Sequence, residues 1–184
     1  MSHIFDPKTF KRLDSPKRKN AMPTEVVCTK LALTSDMIIA DVGCGVGYFA
    51  FPFSEVADTV HAFDISPIMI EELDRRITSQ TNIKTHLGDF NELIDSDILD
   101  LFFTANVIHE LNDLAGFTQK AITKLKIGGR LAYLDFHKVE ADFGPSYEKR
   151  IAAEFVVKLF KQHGLHDIEH HNIKENFYII VGKK

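Results

Sequence analysis

Cysteine is scarce in this chain. Cys28 and Cys44 are the two among 184 residues, and they form no spaced framework. That excludes a disulfide scaffold and fits a reducing compartment. Long apolar runs are missing too: none approaches the roughly 20 residues that span a bilayer. The N-terminus opens on Ser2, His3, Asp6 and Lys8 rather than on an apolar signal core, so the cytoplasm is the default location. An excess of positive charge is also absent. The net charge of −4 supplies no global basic field and points away from nucleic acid. No repeat, low-complexity stretch or second domain is visible. What is there is an ordinary globular mixture, 45% hydrophobic and 26% charged, in a length sufficient for one proper core.

From Asp36 onward short β-rich runs alternate with helical stretches. Met37–Val42, Thr59–Ile65, Ile83–Leu87, Leu99–Asn106 and Arg130–His137 read as five strands, each bounded by turn formers or charge. Ser66-Pro67 places a capping hydroxyl before a first-turn proline and opens a helix. Asp113 to Leu125 carries Leu114, Phe117, Ala121, Ile122 and Leu125 at helical spacing, with Gly128-Gly129 as its stop. Ser146 is the expected cap of a helix holding Ile151, Phe155, Val156, Leu159 and Phe160, which should end near Gly164. His166–Ile173 and Phe177–Val181 are strand-like, and the link Lys174-Glu175-Asn176 is too short for anything but an antiparallel hairpin. The pattern is an α/β sheet with one antiparallel strand. Residues 1–35 stand apart as an N-terminal arm of the same domain, which occupies 36–184. The arm begins with a basic stretch, and a short helix from Thr24 to Leu33 follows, with Thr24 as its cap.

The strongest signal is Asp41-Val-Gly-Cys-Gly-Val-Gly-Tyr-Phe49, where the first strand meets the next helix. Gly43, Gly45 and Gly47 allow a tight turn and close backbone approach to a ligand. The helix start adds unpaired N–H groups. Asp41, two residues before the first glycine, suits a ligand with an ammonium group and would repel a pyrophosphate. Asp64 ends the second strand, where a carboxylate can accept from both hydroxyls of a ribose. Asp89 follows the third strand and can accept from an exocyclic adenine amine. Three acids thus follow three successive strands at the carboxyl edge of the sheet, the ligand-binding edge of open α/β folds.

In these features the chain resembles the class I S-adenosylmethionine-dependent methyltransferases, most of all the small-molecule branch with the ubiquinone- and menaquinone-type enzymes. The resemblance covers nearly the whole chain. It implies a Rossmann-like, doubly wound, mostly parallel seven-stranded sheet of order 3-2-1-4-5-7-6 with a C-terminal antiparallel hairpin. It also implies S-adenosylmethionine as the cofactor, S-adenosylhomocysteine as the product, and a small-molecule acceptor for a monomer or homodimer. By the same resemblance Asp41 to Gly47 is the glycine motif and Asp64 the ribose acid. Ile65 packs on adenine, and Asp89, followed by Phe90, lies at the adenine edge. Asn106 helps to hold the amino-acid end of the cofactor through its backbone carbonyl. The segments Asp100–Leu111 and Lys126–Leu134 match the fourth strand with its loop and the stretch into the fifth. The cysteine set of arsenite methyltransferases is not recognisable, and the Asn-Pro-Pro-aromatic motif of many amino-group methylating enzymes is absent.

Two other readings compete. Gly45-Val-Gly47-Tyr-Phe-Ala50 also fits the G-x-G-x-x-A fingerprint of NAD(P)- or flavin-binding oxidoreductases, but Asp41 and the terminal hairpin oppose it. A non-catalytic S-adenosylmethionine-binding module would carry the same motifs. For catalysis, methyl transfer from a sulfonium is an in-line displacement, and positioning can supply much of its rate. His109 and Glu110 after the fourth strand, and His137 at the end of the fifth, are the candidate catalytic residues, with His109 suited to a general base. Asp135 or Glu110 could orient a histidine. Cys44 and Cys28 read as packing residues. His163, His166, His170 and His171 crowd the C-terminus without metal-ligand spacing, so no metal is expected. The basic arm reads as a lid, with Arg12, Lys17 or Arg18 near a carboxylate.

Overall fold

A computed structural model describes residues 15–79, 81–141 and 143–184. The sheet has seven strands: β1 Ile38–Val42, β2 Thr59–Asp64, β3 Ile83–Leu87, β4 Leu99–Ala105, β5 Leu125–Phe136, β6 His166–Ile173 and β7 Phe177–Lys183. Their order is β3-β2-β1-β4-β5-β7-β6. The first five run parallel, while β7 is antiparallel to both β5 and β6. The expected order and hairpin are those observed.

Among the described residues seven α-helices accompany the sheet: α1 Pro16–Ala21, α2 Thr24–Leu31, α3 Ala50–Ser54, α4 Pro67–Arg76, α5 Phe90–Leu93, α6 Leu114–Lys124 and α7 Ala153–Gln162. Strand alternation sorts the core into two layers. Ile39, Leu101, Phe103 and Leu134 face Val27 and Leu31 of α2, Phe53 of α3 and Leu73 of α4. Ala40, Phe102, Leu131 and Tyr133 face Phe90 of α5, Ile122 of α6 and Phe160 of α7. Edge-on aromatic contacts tie the layers to the strands. Phe53 meets Phe103 at 5.0 Å between ring centroids, and Tyr133 meets Phe160 at 5.0 Å.

Several local expectations are corrected. Gly128-Gly129 does not stop α6; the helix ends at Lys124, and both glycines belong to an early, irregular part of β5. Gly128 there has φ +81 and its N–H donates to the Lys184 carbonyl, while a Cβ at Gly129 would meet the Leu99 carbonyl oxygen. Ser146 does not cap α7. Ala152 holds that position, Ile151 lies before the helix, and Ser146 opens a separate turn through Arg150. Ser66 occupies the cap position of α4, but its hydroxyl makes no capping bond. Its backbone amide instead donates to Asp64 Oδ1 at 2.9 Å. At α2 the cap is Pro23, not Thr24.

Candidate active site

The order of the sheet reverses between β1 and β4, and a crevice opens beyond their carboxyl ends. One cavity of about 1800 Å³ occupies it. Gly43 at φ +77 and Gly45 at φ +54 form its floor in conformations that disfavour a side chain. A Cβ on Gly43 would run into Val107 Cγ2. Gly47, also left-handed at φ +89, plays another part. It does not line this cavity, and a Cβ there would strike Leu73 and Phe51, so it serves the close approach of α3 and α4.

Asp41 lies beneath the loop rather than on the cavity wall and is 2% exposed. Its Oδ2 is buried without a hydrogen-bond partner among the described residues. Burial, with Asp64 adding to it, pushes its carboxyl up to about 7, while the Arg18 charge and the Ala50 amide pull the other way. Asp64 does line the cavity. Its Oδ2 accepts from the Gly45 amide at 2.9 Å and its Oδ1 from the Ser66 amide, which ties the loop to the end of β2. Burial raises its pKa, and those two amides with that of Ile65 oppose the rise. Asp89 caps α5 by accepting the Asn91 amide at 2.9 Å, and Phe90 packs beneath it at 3% exposure. Ile65 is 62% exposed where the cavity opens. Asn106 sits at φ +59; its N–H donates to the Leu134 carbonyl, and its buried Oδ1 has no partner among the described residues.

These features fit S-adenosylmethionine. Two buried acceptors without partners, Asp41 Oδ2 and Asn106 Oδ1, suit a donor with positive charge. The two Asp64 oxygens together offer about four acceptor sites, more than the backbone amides of Gly45, Ile65 and Ser66 take up, which leaves room for a ribose hydroxyl. A buried acid under the glycine loop is the wrong sign for a diphosphate.

The rest of the cavity is lined by elements that no motif marked as part of a site. The connection after β5 contributes Phe143, Pro145, Ser146 and Lys149, and the hairpin tip contributes Lys174, Glu175 and Asn176. Arg150, 2% exposed, shapes the connection. It donates to the carbonyls of Pro145, His137 and Phe143, the last at 2.6 Å. The spacing of motifs carried no sign of this, because an arginine that binds backbone carbonyls leaves no pattern. Ser15, Arg18, Asn20 and Ala21 bring α1 to the cavity. Arg18 stacks over the Tyr48 ring at 4.4 Å, and Tyr48 donates its hydroxyl to the Met22 carbonyl at 2.7 Å. Arg12 lies outside the described residues, as does the Lys17 side chain.

Of the catalytic candidates, His109 and Glu110 line the cavity from a 3-10 turn, Ile108–Glu110, after β4. His109 Nδ1 lies 2.8 and 3.0 Å from the two oxygens of Asp135, which is fully buried near the end of β5. His137 does not line the cavity. One residue beyond β5, its ring turns away to Tyr178 at 5.6 Å, and burial lowers its pKa. Its neighbour Phe136 lines the cavity instead. Cys44 is buried in the glycine loop and its thiol is pushed well up, as befits packing rather than nucleophilic attack. The C-terminal histidines meet separate neighbours: His163 the Leu159 carbonyl, His166 Asp167, His170 Tyr178 and His171 Glu169.

Fold and site together define a class I S-adenosylmethionine-dependent methyltransferase domain. The chain belongs to the methyltransferase-domain family, whose model matches residues 33–181. It is 31% identical over 121 residues to a malonyl-acyl-carrier-protein O-methyltransferase of Acetivibrio thermocellus, covering 62% of this chain and 41% of that protein. It is 30% identical over 83 residues to the ribosomal RNA small subunit methyltransferase A of Rubrobacter xylanophilus, covering 45% and 31%. The chain thus spans less than half the length of either relative. Among solved structures, a SAM-dependent methyltransferase from Aquifex aeolicus has a TM-score of 0.88 at 23% identity, over 97% of this chain and 98% of that one. Phosphoethanolamine N-methyltransferase 2 of Haemonchus contortus, solved with S-adenosyl-L-methionine, has a TM-score of 0.75 at 16% identity, over 88% and 52%.

Proposed function

We propose that this chain transfers a methyl group from S-adenosylmethionine to a small-molecule acceptor held in the outer part of the cavity. One observation carries the reading: the glycine loop, Asp64, Asp89 and His109 all open onto the same cavity of about 1800 Å³, room beyond the 300–1,000 Å³ of an ordinary single-ligand pocket. When bound, the cofactor supplies a methyl group on a sulfonium that leaves as a neutral thioether. The chain's part is to hold and orient. Asn106 receives the amino-acid end, with the buried Asp41 carboxyl adding negative charge beneath the loop, Asp64 the ribose, and Ile65, Asp89 and Phe90 the adenine. Helix α1 closes over this end as a lid. A small acceptor is favoured over nucleic acid because the net charge of −4 gives no basic field. The two free thiols, Cys28 and Cys44, suit the reducing cytoplasm.

Calorimetric titration with S-adenosylmethionine and S-adenosylhomocysteine tests the reading. Both should bind in the micromolar range. Asp64→Ala should weaken both by about tenfold or more, since charged hydrogen bonds are lost. Binding of NADH in their place would overturn the cofactor assignment.

A further inference from the structure

His109 and Asp135 reach each other from the ends of two neighbouring strands, and the way they meet says which proton moves. A carboxylate as buried as Asp135 is costly unless its oxygens are engaged. One Asp135 oxygen accepts the Phe136 amide at 2.7 Å, and both lie within 3.0 Å of His109 Nδ1. An acceptor-only partner on that side makes Nδ1 the donor, and in the neutral ring the lone pair then lies on Nε2. The ring packs edge-on against Phe136 at 5.8 Å, which resists its rotation. Nε2 has Glu110 Oε1 at 3.9 Å, beyond hydrogen-bond reach. The neutral His109 ring therefore has its acceptor nitrogen on the side away from Asp135, and the residue lines the cavity.

We infer that His109 is the general base of the transfer, that Asp135 is its positioning residue, and that the acceptor bears a hydroxyl or thiol. This rests on the methyltransferase reading. As the acceptor oxygen or sulfur bonds to the methyl carbon, the carbon–sulfonium bond breaks and its electron pair stays on sulfur. The acceptor's proton passes to His109 Nε2, and the positive charge that the ring takes up lies beside the Asp135 carboxylate. A methyl acceptor that is already an anion without a proton, such as a carboxylate, makes no use of this pair. Glu110, Asp113, Lys120 and Lys149 are among the other charged residues that line the cavity.

The probe is 4-nitrophenol, titrated into the protein saturated with S-adenosylhomocysteine at a pH below the phenol's own pKa. Proton transfer to His109 is read as phenolate absorbance. The wild type should show a phenolate fraction above that in buffer. His109→Gln should abolish the excess, and Asp135→Asn should reduce it. In parallel, nitrogen-15 spectra should show the His109 proton on Nδ1 in the wild type, which keeps the test independent of how Asp135→Asn folds. No phenolate excess in the wild type, an excess that survives His109→Gln, or a proton on Nε2 would each overturn the inference. Failure of the wild type to bind S-adenosylhomocysteine at all would strike the methyltransferase reading instead, so the two failures are distinguishable.

Discussion

At the scale of single residues, Asp41 shows how a binding site is kept at the expense of stability. Its carboxyl stands at about 7 in the folded chain, against roughly 4 for an unfolded aspartate. A raised pKa means that the folded state holds the proton more tightly. Stability from this group is therefore present below pH 4 or so and is lost as pH rises through about 7. Asp41→Asn carries no charge to desolvate. It should raise the melting temperature of the ligand-free protein at pH 8 by at least a few degrees, the shift expected for roughly 1 kcal/mol in a domain of this size. At pH 5 the gain should shrink. The same substitution should weaken S-adenosylmethionine, because the buried acceptor without a partner is then no longer anionic. Scanning calorimetry at the two pH values, with and without cofactor, reads both effects. A higher melting temperature at pH 5 only would contradict the assignment.

At the scale of elements, α1 matters more to the site than its six residues suggest. Ser15 caps it by accepting the Arg18 amide at 3.3 Å. Beyond it Met22 is fully buried, its carbonyl held by Tyr48 and its sulfur facing Asn106 Nδ2 at 3.9 Å. The next helix, α2, buries Val27 and Leu31 independently. Deletion of residues 1–20 should therefore leave the fold, as read by circular dichroism, and lower cofactor affinity by roughly tenfold. Unchanged affinity would remove the lid role. The basic residues of the arm set it apart in the sequence, and Arg18 of α1 lines the cavity. The connection after β5 was not legible, because its shape depends on Arg150 and three carbonyls that are distant from any motif.

For the whole molecule, the outer edge of the sheet sets an acid limit. On β2 and β3, His61 and His86 stack at 5.1 Å and share a hydrogen bond of 2.9 Å between Nδ1 and Nε2. Burial, with the charges of His86 and Lys84, lowers His61 to about 4, and burial also lowers His86. Depressed histidines favour the folded state while neutral. Their contribution is whole above the unfolded value of about 6.5 and is lost as pH falls towards 4. Asp41 acts with the opposite sign over part of this window, so a variant must separate them. In urea titrations between pH 4 and 7, His61→Phe, which keeps the stack on Phe63, should flatten the loss of stability on acidification. An unchanged slope would show that the pair does not set the limit.

Periodicity and short links were enough for seven strands and the antiparallel hairpin, because alternation and loop length are local properties. The glycine loop and the acids at strand ends were legible for a similar reason, since chain order alone places them at one edge of a parallel sheet. Helix ends were harder: Gly128, Gly129 and Ser146 carry stop and cap chemistry that backbone pairing and a separate turn put to other use. The different surroundings of His109 and His137 belonged to tertiary structure alone. Both follow strands that end at the same edge, yet one ring meets a buried carboxylate beside the cavity and the other packs on Tyr178. That difference depends on strand register and on which face each side chain takes, and these are settled only when the sheet is assembled.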